Sequence, residues 1–98
     1  MQNFNRILLI DDERNLEATA IARTYDSGIF LLKLYTWDLL LLDHDLGCFK
    51  DGREWSGYDI LCFLEEHTEY LPTKIELVTS NGAVIKKMNQ VINKLYFN

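Results

Sequence analysis

The sequence predicts an α/β sandwich built on a four-stranded, mainly parallel sheet with about three helices, and three observations lead there. Residues 7–10 and 39–42, ILLI and LLLL, are apolar without interruption, as strands buried on both faces are. Each run passes directly into acids, Asp11-Asp12-Glu13 in the first case and Asp43-His44-Asp45 in the second. The segments that follow alternate helical and strand patterns joined by short breaks, which is the order a parallel sheet requires.

Residues 6–10 form the first strand. A second strand is expected at 19–25, where Thr19, Ile21, Thr24 and Tyr25 favour extended backbone and Asp26-Ser27-Gly28 breaks it. A parallel crossover usually takes a dozen or more residues, and far fewer are available here. The second strand is therefore either antiparallel or reached by an extended crossover without a helix. Asp26 or Ser27 then caps a helix over 28–35, whose nearly continuous apolar content predicts burial on most sides. The strand 37–42 follows at once, and a polar loop over 47–56 comes after it. Ser56 with Asp59 three residues on reads as a capping box for a helix running to about His67, with Ile60, Leu61 and Leu64 on its apolar face. Leu71-Pro72-Thr73 breaks the chain, a strand over 74–79 follows, and Ser80-Asn81-Gly82 opens a last helix with Val84, Met88, Val91, Ile92 and Leu95 at helical spacing.

The 98 residues suit one domain, 1–98, with one core. With 15 acids against 10 bases, a net charge of -5 and a pI near 4.8, the chain has no general attraction for nucleic acid or an anionic membrane. A phosphate bound near the acids therefore needs a cation beside it. Cys48 and Cys62 have no second pair for a zinc site and read as free thiols of a reducing compartment. The apolar span 29–42 is interrupted by Lys33 and Asp38 and is shorter than the roughly 18 residues of a membrane helix. The first residues lack a secretory pattern, so a cytoplasmic location is expected.

Two parallel strands side by side bring Asp11, Asp12 and Asp43 to one edge of the sheet, at the carboxyl ends where open α/β sheets bind ligands. Three carboxylates that close stay ionised only with a cation between them, and an all-oxygen set suits Mg²⁺ or Mn²⁺. Asp43 can then act as a nucleophile toward phosphorus or as a ligand. Thr79 and Ser80 end the last strand at the same edge, where a hydroxyl can donate to a phosphoryl oxygen, and Asn81 with the amides after it opens a helix whose amino end favours an anion; the alternative is a plain helix cap. His44 is a general acid or base or, on the opposite side of the strand by alternation, a structural histidine. Arg14 and Arg23 either contact a phosphate or pair with Asp12 or Glu13. Trp55 and Tyr58 either stack on a base or anchor their loop, and Cys48 lacks the positive surroundings of a reactive thiol.

ILLIDDE, LLLLDHDLG, SGYDIL and LVTS together resemble the receiver domain of two-component response regulators. The resemblance implies that Asp11 and Asp12 form the acidic pair, Asp43 is the phosphoacceptor, Thr79 is the hydroxyl after the fourth strand, and the main-chain carbonyl of Asp45 is a metal ligand. The receiver lysine after a fifth strand has no counterpart here, since Lys94 is not in a comparable place, and this argues against ordinary phosphorelay switching. DDER, ARTYD, LDHDLG and TSNG are closer still to the small variant called the cyclic-phosphate processing receiver domain, found in bacteria and bacteriophages. Val78 stands where that variant often has a histidine.

The resemblance implies a reduced flavodoxin-like, three-layer fold. It also implies an Mg²⁺-dependent domain that binds or hydrolyses a phosphoester, such as a cyclic phosphate on a nucleotide or RNA end. The alternative is a non-catalytic receiver-like module for signalling or for a protein partner, such as a phage-encoded modulator of a host system.

Overall fold

The computed structural model describes residues 5–97. In chain order its elements are β1 (Ile7–Ile10), β2 (Ala20–Ala22), α1 (Tyr25–Leu34), β3 (Leu39–Leu42), β4 (Cys48–Lys50), β5 (Arg53–Trp55), α2 (Gly57–Glu66), a 3-10 turn (Thr68–Tyr70), β6 (Lys74–Leu77) and α3 (Gly82–Phe97). The main sheet has the order β2-β1-β3-β6, and every neighbouring pair is parallel. β1 and β3 are its two central strands, which is why they can be apolar throughout.

The second strand is parallel, so of the two expected routes the chain takes the extended crossover. Residues 11–19 return to the start of β1 without forming a helix, and Thr19 closes the return: its N–H donates to the Ile7 carbonyl at 2.8 Å, and its Oγ1 accepts from the Ile7 N–H at 2.9 Å.

β2 to β3 and β3 to β6 step across the sheet in one direction, whereas β1 to β2 steps in the other. Right-handed crossovers place α1 and α2 on one face and the 11–19 segment on the opposite face. α3 packs beside α2 and joins the helical layer. Leu8, Ile10, Leu40, Leu42 and Ile75 point into that layer and form one core with Leu32, Ile60, Leu61, Leu64, Met88, Val91 and Ile92. Leu9, fully buried, and Leu39 face the other way. The connection between β1 and β2 is therefore an extended segment rather than a helix.

Three local expectations need correction. The strand expected over 19–25 stops at Ala22, because Thr24 is the helix cap. Its Oγ1 accepts from the Ser27 N–H at 3.1 Å while Ser27 Oγ accepts from the Thr24 N–H at 3.2 Å, a capping box that starts α1 at Tyr25 and leaves Asp26 and Ser27 inside the helix. α1 is also not buried on most sides. Only Gly28 and Leu32 are fully enclosed, while Phe30 is 61% and Leu34 52% exposed, because the helix meets the sheet and α2 along one stripe.

The loop expected over 47–56 contains a hairpin. β4 and β5 pair antiparallel, and Asp51 and Gly52 both take positive φ (54° and 77°), the backbone of a two-residue hairpin turn. The hairpin rests on α1 through Trp55 against Tyr25, with ring centroids 4.7 Å apart, and through Lys50 to Asp26 at 3.0 Å. Trp55 therefore anchors this segment. Phe49 and Phe97 are exposed.

The later elements follow their sequence signals closely. α2 is capped by Ser56 with Asp59 reaching back to the Ser56 N–H at 2.8 Å, and it buries Ile60, Leu61 and Leu64. β6 ends at Leu77, two residues before the expected Thr79. α3 buries Met88, Val91 and Ile92, and its end is fastened by the Tyr96 hydroxyl, which donates to the Pro72 carbonyl at 2.6 Å; burial pushes that phenol up to about 12. Among the described residues no helix is long and apolar enough to cross a membrane, and both cysteines are free thiols.

Candidate metal and phosphate site

Register alone brings the two buried aspartates together. Ile10 pairs with Leu42, so Asp11 and Asp43 each stand one residue beyond the same rung of adjacent parallel strands. The Asp43 N–H donates to the Ile10 carbonyl and the Asp11 N–H to the Ala22 carbonyl, both at 3.0 Å, which fixes the height of each. Asp12, exposed on the following turn, completes a group in which one oxygen from each of Asp11, Asp12 and Asp43 lies within 4.8 Å of the others. Such a set of hard oxygen donors is one that Mg²⁺ or Mn²⁺ accepts.

Two glycines permit this approach. Gly47 takes φ of +58°, and a Cβ there would stand 3.1 Å from Asp12 Oδ2, so the fourth residue beyond Asp43 makes room for the third carboxylate. Gly57 opens α2 directly against the end of β3. Its N–H donates to the His44 carbonyl at 2.8 Å, and a Cβ there would lie 1.9 Å from the Asp43 carbonyl oxygen. Neither role was readable from the sequence, although a glycine immediately after a capping serine was a signal that something approaches closely there.

The carboxylates differ in their surroundings. Burial pushes Asp11 up, but this is outweighed by the N–H groups of Arg14 and Glu13 on Oδ1, at 3.0 and 2.9 Å, and by the Arg14 guanidinium at 2.8 Å, so it ionises below the ordinary aspartate range. Asp43 is pushed above it, by burial first and then by the Asp11 charge. The His44 N–H, Arg14 and the Thr79 hydroxyl offset only part of this. Arg14 Nη1 also reaches to 3.5 Å from Asp43 Oδ1. Its partners are therefore Asp11 and Asp43, neither of the two residues the sequence had suggested.

A family model for the cyclic-phosphate processing receiver domain matches residues 6–94. The chain belongs to that family. Comparison with curated proteins and with solved structures gives no match.

Within this receiver-like domain the remaining candidates divide. Thr79, buried, joins the carboxylates through Asp43, and its Oγ1 accepts from the Asn81 N–H at 3.2 Å. Asn81 itself is exposed, and its Oδ1 accepts from the Ala83 N–H at 3.1 Å as a cap of α3. Arg23 stands back from the carboxylates. It donates to the main-chain oxygens of Asp11 and Arg14, at 3.2 and 2.7 Å, and to the side chain of Asn15, so it clamps the turn that carries Asp11, Asp12 and Arg14. The Asp45 carboxylate is exposed and lies 3.0 Å from His44 Nδ1, outside the group of three acids. β3 ends at Leu42, before the alternation that would set His44 opposite Asp45 can apply; His44 lines a cleft of about 260 Å³ with Ser56, Tyr58, Lys87 and Met88.

Proposed function

We propose that this domain binds a phosphoester at the carboxyl ends of β1 and β3 and opens a cyclic phosphate carried by a nucleotide or an RNA end. The observation that carries the reading is the convergence of Asp11, Asp12 and Asp43, with Arg14 and the Thr79 hydroxyl beside them, in a chain of the cyclic-phosphate processing family. Asp11, Asp12 and Asp43 would hold Mg²⁺, with the main-chain carbonyl of Asp45 as a further oxygen ligand on the family's pattern. When bound, the ion would neutralise the carboxylates and polarise a phosphoryl oxygen.

The chain's own residues supply the rest. Asp43, raised above the ordinary range, is the more basic of the two buried carboxylates and the better group to meet phosphorus, as nucleophile or as ligand. The Thr79 hydroxyl lies beside that carboxylate and can donate to a phosphoryl oxygen, while the Arg14 guanidinium, 37% exposed, is a cation able to meet the same group. The amides opening α3 beyond Asn81 face this edge with the positive end of a 16-residue helix.

The test is phosphorus NMR of the domain with Mg²⁺ and a 2′,3′-cyclic nucleotide, beside Asp43→Asn. Conversion to a monoester by the native domain, lost in the variant and on chelation, is the expected result. Stoichiometric binding without turnover would reassign the domain to a non-catalytic module, and an acyl-phosphate signal from acetyl phosphate would make that module a phosphoacceptor.

A further inference from the structure

We propose that Arg14 is a tethered counter-ion: it occupies the space between Asp11 and Asp43 when no divalent cation is there, and swings out to the phosphoryl group when one binds. The inference rests on the metal reading of the site given above. Its basis is the position of one nitrogen. Arg14 Nη1 stands 2.8 Å from Asp11 Oδ2 and 3.5 Å from Asp43 Oδ1, between two carboxylates that are otherwise shielded from solvent. The guanidinium thus lies against both carboxylates and supplies, from within the chain, a positive charge between them.

A divalent ion held by one oxygen each of Asp11, Asp12 and Asp43, at about 2.0–2.1 Å for magnesium, would sit among the carboxylates that the guanidinium contacts. The two cations therefore compete for the same carboxylates.

The attachment of Arg14 suits a displaceable group. Its backbone is fixed on both sides, the N–H donating to Asp11 Oδ1 at 3.0 Å and the carbonyl accepting from Arg23 at 2.7 Å. Its side chain, by contrast, is held only at the tip and is 37% exposed. Leaving the carboxylates therefore costs the loop none of its own hydrogen bonds. Arg23 keeps the turn in shape while Arg14 moves.

Displacement would also order the binding events. With Nη1 bonded to Asp11, Arg14 has fewer of its N–H groups to offer a phosphate, so the phosphoryl group meets the whole guanidinium fork only after the ion has released it. Two effects of opposite sign follow from one residue. Arg14 weakens cation binding, and it strengthens phosphate binding to the cation-loaded domain.

The experiment is calorimetric titration of Mg²⁺ into the native domain, Arg14→Gln, Arg14→Lys and Asp43→Asn, each checked for fold by near-ultraviolet circular dichroism. Inorganic phosphate is then titrated into each at saturating Mg²⁺. Arg14→Gln should bind Mg²⁺ about tenfold more tightly than the native domain and phosphate about tenfold more weakly, with Arg14→Lys between them. In the native domain the Arg14 Nε–H resonance should shift as Mg²⁺ is added, which reads the displacement without any substitution. Equal or weaker Mg²⁺ binding by Arg14→Gln, with Asp43→Asn still defective, would overturn the counter-ion role and leave the metal site standing. Failure of every protein, Arg14→Gln included, to bind Mg²⁺ would overturn both.

Discussion

Asp11 and Asp43 close neighbouring strands one residue above a paired rung, both buried, and the fold treats them in opposite ways. Asp11 is held by its own turn. The N–H groups of Glu13 and Arg14 and the Arg14 guanidinium all come from within three residues of it, and together they keep it ionised against the effect of burial. Asp43 is held from elsewhere in the chain. α2 presses on its main chain at Gly57, Thr79 reaches it from beyond β6, and Arg14 reaches it only at 3.5 Å. Two identical side chains at equal height thus become a stable anchor and a more basic group.

The dependence of Asp43 on distant elements gives the largest expected effect. In Gly57→Ala the new Cβ would fall 1.9 Å from the Asp43 carbonyl oxygen and 2.9 Å from its carbon, so the start of α2 must back away from β3. The neighbour is backbone and cannot turn aside, as a flexible side chain would. A loss of about 3 kcal/mol in urea unfolding, the upper range for overpacking, should accompany a weakened Mg²⁺ site. The Asp11 turn, which Gly57 does not touch, should keep its amide resonances. A cost below about 1 kcal/mol would mean that α2 floats on β3 and that Asp43 is not positioned by it.

Asp11→Asn tests the anchor. The amide oxygen can still accept the Glu13 and Arg14 N–H groups, but the charge that pairs with Arg14 is gone, so a destabilisation of about 2 kcal/mol at neutral pH is expected. Because the folded-state pKa of Asp11 is lowered, its contribution is fully present above the ordinary value near 3.8 and is lost as pH falls through the lower folded value. The stabilities of native and variant domains should therefore converge in acid. A gap that persists at low pH would assign the effect to packing instead of charge.

The parts of this site that were legible in the sequence are those set by local chemistry. The change from leucine to aspartate after β1 and β3, and the Ser56–Asp59 box, are visible within a few residues and need no tertiary information. Thr24 was misread because a threonine before a tyrosine favours a strand by propensity, whereas the Ser27 side chain makes it a cap. The Asp51-Gly52 turn was hidden by the charges around it, although that dipeptide is a strong hairpin signal. The partners of Arg14 and the contact at Gly57 depend on register between strands and on how closely a helix docks, which no spacing along the chain reports.

The smallest expected effect has the opposite sign and decides whether the comparison holds. Asp43→Asn makes the same chemical change as Asp11→Asn, at the same height in the sheet. Here, however, the folded-state pKa is raised, so the ionised form is the one the fold penalises. That penalty is absent below the ordinary value near 3.8, grows as pH rises from there toward the raised folded value, and is complete above it. An asparagine never incurs it. Without a divalent ion, Asp43→Asn should therefore be more stable than the native domain at neutral pH by about 1 kcal/mol, the difference vanishing in acid. With saturating Mg²⁺ the order should reverse, because binding adds to the stability of the protein that retains the ligand. If Asp43→Asn is instead less stable at neutral pH without metal, the bond from Arg14 outweighs burial and the charge of Asp11. Asp43 would then be a second anchor, and the argument for its reactivity would lose its electrostatic basis.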